Sequence, residues 1–261
     1  MTGRIIDVNV NLSRWPARRF PLDETASLVA KLRSHGVAEA WAGSFDGLFH
    51  KDLAAVNARL AGECCEAQGV RLVPFGSVNP LLPDWEEDLR RCAEEHRMPG
   101  IRLHPNYHGY ALDHPAFARL LGLAAARRLV VTLALVMEDA RMMHPLLRVP
   151  PVDPAPLAAL VERTPGLRLA LFNAPNSLRG EALKTLLGAG EVYVDTSMVE
   201  GVGGVSKLLE GTPPGRVLLG SHAPFFYFEA ALLKLKESIM TVPQIRAVRE
   251  ENARRLLPSR P

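Results

Sequence analysis

The stretch Arg4-Ile5-Ile6-Asp7-Val8-Asn9-Val10-Asn11 reads as a strand. Its period-2 alternation sends Asp7, Asn9 and Asn11 to one side and Val8 and Val10 to the other. Short runs rich in Val, Ile and Leu recur at Val37 to Gly43, Arg71 to Val78, Gly100 to His104, Leu129 to Leu135, Leu167 to Asn173, Glu191 to Asp195 and Val217 to Ser221. Between them, apolar residues spaced by three and four predict helices near Asp23 to Ser34, Lys51 to Gln68, Trp85 to His96, Pro115 to Arg127, Pro156 to Arg163, Leu178 to Leu187, Val205 to Glu210 and Glu229 to Ser238. A last helix starts at Pro243, a favoured first-turn residue.

Strands alternating with helices imply parallel pairing, and about eight such units in roughly 250 residues are what a closed (β/α)8 barrel requires. A doubly wound open sheet is the rival. Gly201, Gly203 and Gly204 follow a strand but do not keep the spacing of its phosphate-binding turn. The Pro-rich stretch Arg148 to Pro156 interrupts structure locally, yet the same rhythm continues on both sides, so residues 1–261 are expected to form one domain.

Composition narrows the partners. The 31 Lys and Arg stand against 28 Asp and Glu, a net charge of +3 that gives no reason to expect nucleic acid. Basic residues bunch at Arg14, Arg18, Arg19 and at Arg254, Arg255, which solvated faces or an anion contact explain. Cys64 and Cys92 continue apolar helical stripes, and with Cys65 they form no CxxC pair, so they read as reduced thiols. The first apolar run is interrupted by Asp7 and two Asn, and no segment reaches membrane-spanning length; the expected location is cytoplasmic, with no membrane partner.

In such a barrel the chemistry gathers where strands run into the following helices. The residues there are Asn9, Asn11, Ser44, Asn79, Arg102, His104, Ala134, Asn173, Asp195 and His222. Polar side chains ending apolar strands are costly to bury unpaired, so their concentration at one rim predicts a polar cavity for a small-molecule substrate. The segment Val136 to Pro145 is long and dense in titratable groups, which favours a functional loop placing Glu138, Asp139, Arg141 and His144 near the rim; a solvated, salt-bridged loop is the alternative. Asn106, Tyr107, His108 and Tyr110 could form a facing wall. Exposed apolar pairs such as Phe225-Phe226 and Tyr227-Phe228 leave a homo-oligomer, a lid or burial under the last helix open.

Five stretches together resemble the amidohydrolase-related family, the barrel branch that includes decarboxylases and lactonases. They are Asp7-Val8-Asn9-Val10-Asn11, in the place of its D-x-H-x-H; Phe75 to Pro80; Gly100-Ile101-Arg102-Leu103-His104-Pro105; Leu218 to Phe225, similar to its G-S-D-x-P-F; and Glu251 to Leu257, similar to its closing N-A-x-R-L-L helix. The resemblance implies metal ligands at positions occupied here by Asn9, Asn11, residues near Ala134 and Asn173, and His222. Amides and a methyl cannot hold a catalytic divalent ion with an open position for water. The expected cofactor is therefore none, with zinc at a non-standard site built on His104, His222 and a loop carboxylate as the alternative.

The activity expected from the resemblance is metal-independent hydrolysis of a small carboxylated lactone, amide or ester. His222 would serve as general base and His104 would protonate or polarise the substrate. Arg102 would pair with a substrate carboxylate, and Asn9, Asn11 and Asn173 would donate to an oxyanion. Tyr107, Asp139, Arg141, His144 and Asp195 complete the substrate-binding set. One alternative is a barrel that has lost catalysis and keeps its pocket for a ligand or partner; another is a hydrolase or decarboxylase with a non-standard divalent metal site.

Overall fold

The structure, a computed structural model, describes residues 4–174 and 178–257. Eight parallel strands, β1 (Ile5–Leu12), β2 (Val37–Ser44), β3 (Arg71–Ser77), β4 (Gly100–Leu103), β5 (Val130–Ala134), β6 (Arg168–Phe172), β7 (Glu191–Asp195) and β8 (Val217–Leu218), pair in sequence order. The ring closes beyond β8, where the Val8 N–H donates to Leu219 O and the Asn11 N–H to Ala223 O, each at 2.9 Å. The expected (β/α)8 barrel is thus observed, with strand limits within a few residues of the sequence reading.

The helices alternate as the apolar spacing predicts, and identifiable caps hold several of them. Asp52 accepts the Ala55 N–H to open the helix Leu53–Glu66, and Thr241 with Gln244 forms a reciprocal capping box at Val242–Arg246. The predicted Trp85 to His96 helix widens after Arg90 into a π segment, Arg91–Glu95, that buries the Cys92 thiol. Two four-residue helices, Asp46–Phe49 and Pro105–His108, escape the sequence reading because one turn carries no periodicity. Asn252, fully buried, donates to Pro214 O and Val217 O and so pins the last helix against β8.

The first strand departs from strict alternation. Ile6 and Val8 pack inside the barrel with Trp41, Phe75 and Phe172, whereas Val10 and Leu12 belong to the outer layer between strands and helices. A register shift against β2 lies between Asp7 and Val10. One extra residue there reverses which face every later side chain takes. Asp7 therefore does not share a face with Asn9 and Asn11 as the alternation predicts. It turns to Ser221, accepting from both its N–H and its hydroxyl.

Carbonyls around this irregularity are satisfied by one guanidinium. Arg102, rooted on β4, donates from Nη1 to Val10 O (2.7 Å) and Asn11 Oδ1 (3.0 Å), and from Nη2 to Val8 O (3.2 Å) and Trp41 O (3.0 Å). Its charge lies 5.1 Å from the Phe172 ring centroid. Gly43 makes room for it: a Cβ at that position would stand 2.8 Å from both Cδ and Nη1 of Arg102. Because four hydrogen bonds hold the side chain in place, Gly43→Ala is expected to destabilise the protein by about 2 kcal/mol in urea unfolding. A loss under about 0.5 kcal/mol would show that the guanidinium is free to move.

Candidate functional site

Asn9, Asn11, Arg102, His104, Asn173, Asp195 and His222 are all at most 3% exposed and sit at one end of the barrel. Asn9, Asn173 and Asp195 direct most of their hydrogen bonds at one another and at Ser197. Asn9 Nδ2 donates to Asn173 Oδ1 (2.7 Å) and to Asp195 Oδ2 (2.8 Å). Ser197 Oγ donates to Asn173 Oδ1 or Asp195 Oδ1, which lie 2.8 and 2.9 Å away. The Asn173 N–H also reaches Asp195 Oδ1, and Asn173 Nδ2 donates to Val136 O. Gly220 permits this closure, since a Cβ there would lie 2.4 Å from Asp195 Oδ2. Of the three amides expected to serve an oxyanion, only Asn11 keeps a buried, unpartnered Nδ2.

Arg102 likewise differs from its expected role. Both terminal nitrogens are engaged by barrel oxygens, so the side chain holds the scaffold rather than reaching a ligand carboxylate. Burial pushes its pKa down to about 10, opposed by Asp195 and Asp7, so it stays cationic at neutral pH.

The two histidines are the groups left with open valences. His222 Nε2 lies 2.8 Å from Met137 O and, facing a carbonyl, carries the proton. Its Nδ1 is then a bare acceptor, buried without a protein partner. Both ring nitrogens of His104 are buried and unpartnered. Burial lowers His222 to about 4, with the Arg102 and Lys234 charges acting in the same direction and the Met137 bond opposing. His104 is driven well below the ordinary histidine range by burial first, then by His108, Arg102 and His222. Both rings are neutral at pH 7. His222 and Asn173 also hold left-handed backbone conformations (φ 59° and 55°), the kind of local strain that persists where surrounding structure over-determines it.

An aromatic layer covers this end. Trp15 meets Phe45, Phe49, Tyr107 and Phe225 edge-on with ring centroids 4.9–6.0 Å apart, and Phe225 stacks on His222 at 4.8 Å. Of the expected wall, Tyr107 belongs to this layer. The Arg18 guanidinium is 3.0 Å from Glu138 Oε1, tying the chain after β1 to the loop after β5. Asp139, Arg141 and His144 make none of the hydrogen bonds of the strand-end network. Asp139 and Arg141 form an exposed bidentate pair, and His144 Nδ1 accepts the Leu146 N–H within the loop's own turn. The solvated-loop reading describes these three.

Several contributors carried no readable signal in the sequence. Ser197 binds Asp195, and Lys234 donates to Thr196 O and Ser197 O behind that carboxylate. Trp15 comes from an irregular segment, and Phe225 is decided only by the packing of its ring. The G-S-H-x-P-F stretch around Gly220 was the one available pointer to Ser221 and Phe225.

These buried groups give opposing pH dependences. As pH falls through 6.5, the unfolded chain takes up protons that the folded His104 and His222 refuse, so stability drops until His222 itself titrates near 4. Asp7, raised to about 6 by burial against its Ser221 bonds, takes its proton in the folded state first and so adds stability as pH falls from 6 towards 4. Urea midpoints between pH 6.5 and 4.5 should fall less steeply in a His104→Gln, His222→Gln variant than in the parent, and more steeply in Asp7→Asn. Equal slopes in all three would contradict the assigned burial.

Solved structures share this architecture. A 2,6-dihydroxybenzoate decarboxylase from Rhizobium superposes with TM-score 0.73 at 16% identity, covering 98% of each chain. A dihydroxybenzoic acid decarboxylase from a Polaromonas species, with bound manganese and the inhibitor 2-nitroresorcinol, gives 0.74 at 14% identity, covering 98% of this chain and 97% of that one. A 5-carboxyvanillate decarboxylase from Novosphingobium aromaticivorans, with manganese and a nitrobenzoic acid, gives 0.73 at 13%, covering 97% and 95%. Identities this low establish the fold. Manganese is bound in two of these barrels, which overturns the expectation that the cofactor is none. The residues of this chain do not fit such an ion at the strand ends where the resemblance places metal ligands. There Asn9, Asn173 and Asp195 bond one another, and the Arg102 cation sits on Asn11 Oδ1. Among the described residues no group of three or more His, Cys, Asp or Glu could hold a metal, which also leaves the His104–His222 zinc alternative without a third ligand. No helix among the described residues is long and apolar enough to cross a membrane. No curated protein matches the chain. The amidohydrolase family model matches residues 7–259, and the chain belongs to that family.

Proposed function

We propose that this chain, acting as one domain over residues 1–261, takes a small carboxylated molecule beneath its aromatic layer and removes carbon dioxide from it, in preference to hydrolysing a lactone, amide or ester. The observation that carries this reading is the set of unpartnered buried groups: Asn11 Nδ2, both nitrogens of His104 and His222 Nδ1. They offer two donors, the Asn11 amide and the one N–H of His104, for a carboxylate oxygen, and two bare ring nitrogens, one on each histidine, for an acidic substrate hydrogen. The decarboxylase activity of barrels with this fold supports the choice of reaction.

The electrostatics favour loss of carbon dioxide over hydrolysis. A hydrolytic base must draw a proton from water, and an imidazole lowered to about 4 is a weak base. The same shift makes the His222 imidazolium a strong acid. Once Nδ1 has taken the hydrogen of a substrate carboxylic acid, a group about as acidic as this imidazolium, the C–C bond breaks, carbon dioxide leaves with its oxygens, and the electron pair stays on the substrate carbon. Nδ1 returns the proton to that carbon and regains its neutral form. A layer of Trp15, Phe45, Tyr107 and Phe225 keeps bulk water away from a carboxylate that is losing its charge.

A second reading, binding without turnover, draws support from the closed Asn9–Asn173–Asp195–Ser197 network, which leaves few groups to act on a ligand. One experiment separates the two. The full chain is incubated with 2,6-dihydroxybenzoate and with 5-carboxyvanillate, with and without added manganese, while carbon dioxide release and thermal unfolding are followed. Decarboxylation that drops at least about 100-fold in His222→Asn supports the proposal. A ligand-dependent rise in Tm with no product supports binding alone, and turnover indifferent to His222→Asn removes the proposed chemistry.

A further inference from the structure

We propose a second binding site, for a multiply charged oxyanion, at the opposite end of the barrel from the histidines. A cleft of about 660 Å³ opens there between the starts of β1, β2 and β3, the chain before β4 and the last helix. That volume suits a small molecule rather than a polymer. Four arginines line it, Arg4, Arg71, Arg97 and Arg254, against one carboxylate, Glu39. Aliphatic side chains such as Ile6 and Leu72 lie between them.

Internal pairing leaves two of these four cations uncompensated. Glu39 is engaged twice, by Arg71 at 2.8 Å and by the Trp41 indole N–H at 3.1 Å. Arg254 pairs with Glu250 at 2.7 Å on its own helix. Arg4 and Arg97 form no ion pair with any described residue. Guanidinium groups gathered in one cleft repel each other, and an oxyanion with two or more charges relieves that repulsion while accepting forked hydrogen bonds. All four cations are arginines, the side chain whose planar fork matches phosphate and carboxylate geometry. Arg254, one of the basic pair near the last helix's end, thereby acquires a reason beyond surface solvation.

The test uses the full chain and pyrophosphate. Thermal unfolding is compared in sodium pyrophosphate and in sodium chloride of equal ionic strength; pyrophosphate is expected to raise Tm by about 3 °C above the chloride control. An Arg4→Gln, Arg97→Gln double variant should lose that increment while keeping its own Tm in chloride within about 1 °C of the parent, because both side chains are exposed. Should the double variant fail to fold, phosphorus NMR line broadening of pyrophosphate with Arg97→Gln alone reads the same interaction, as an affinity loss of about tenfold. An equal rise in chloride, or a rise that survives the substitutions, overturns the site.

Discussion

A single buried cation organises the ligand end of this barrel. Arg102 enters from β4 and hydrogen-bonds carbonyls of β1 and β2 where the β1 register slips, so the irregularity and the arginine are mutually dependent. Removing a guanidinium from water costs several kcal/mol unless its donors are satisfied and its charge is balanced. Here four oxygens engage the terminal nitrogens, leaving only Nε unpartnered, and the face of Phe172 with the fields of Asp195 and Asp7 offsets the charge. The same charge helps keep His104 and His222 neutral.

Around this cation the polar strand ends divide into two groups. Asn9, Asn173, Asp195 and Ser197 form a closed network whose members satisfy each other, and such a network rigidifies what it occupies. Asn11, His104 and His222 are left with unpaired donors or acceptors under an aromatic layer. Buried polar groups of this kind are costly to maintain, which is why they mark the chemical end of the molecule more sharply than composition does. At these strand ends the Arg102 guanidinium sits on Asn11 Oδ1 and the Asn9 amide bonds Asn173 and Asp195.

Sequence reasoning located the strand ends because barrel geometry puts one end of every strand on the same rim. It misassigned what those side chains do there. Arg102 looked like a carboxylate clamp because its residue type suits one; only the positions of Val8 O, Val10 O and Trp41 O show that its fork is already filled. Asp139, Arg141 and His144 looked site-like because they cluster in sequence, yet loop conformation sends them to solvent. Trp15 and Phe225 are indistinguishable by sequence from ordinary core aromatics, and their role over the mouth arises from segments 210 residues apart meeting in space.

By itself the sequence determined the architecture, since eight apolar runs separated by amphipathic stretches have few ways to bury their surfaces other than a parallel barrel, and short-range periodicity records that pattern directly. It also determined that Asn9, Asn11, Asn173 and His222 stand at polar strand ends, because residue identity is a one-dimensional fact. Tertiary structure alone decided which polar groups remain open and which are closed on one another. Hydrogen-bond satisfaction depends on distances of about 3 Å between residues as far apart as Asn9 and Asp195, and a one-residue slip in β1 is enough to exchange the faces on which those partners lie.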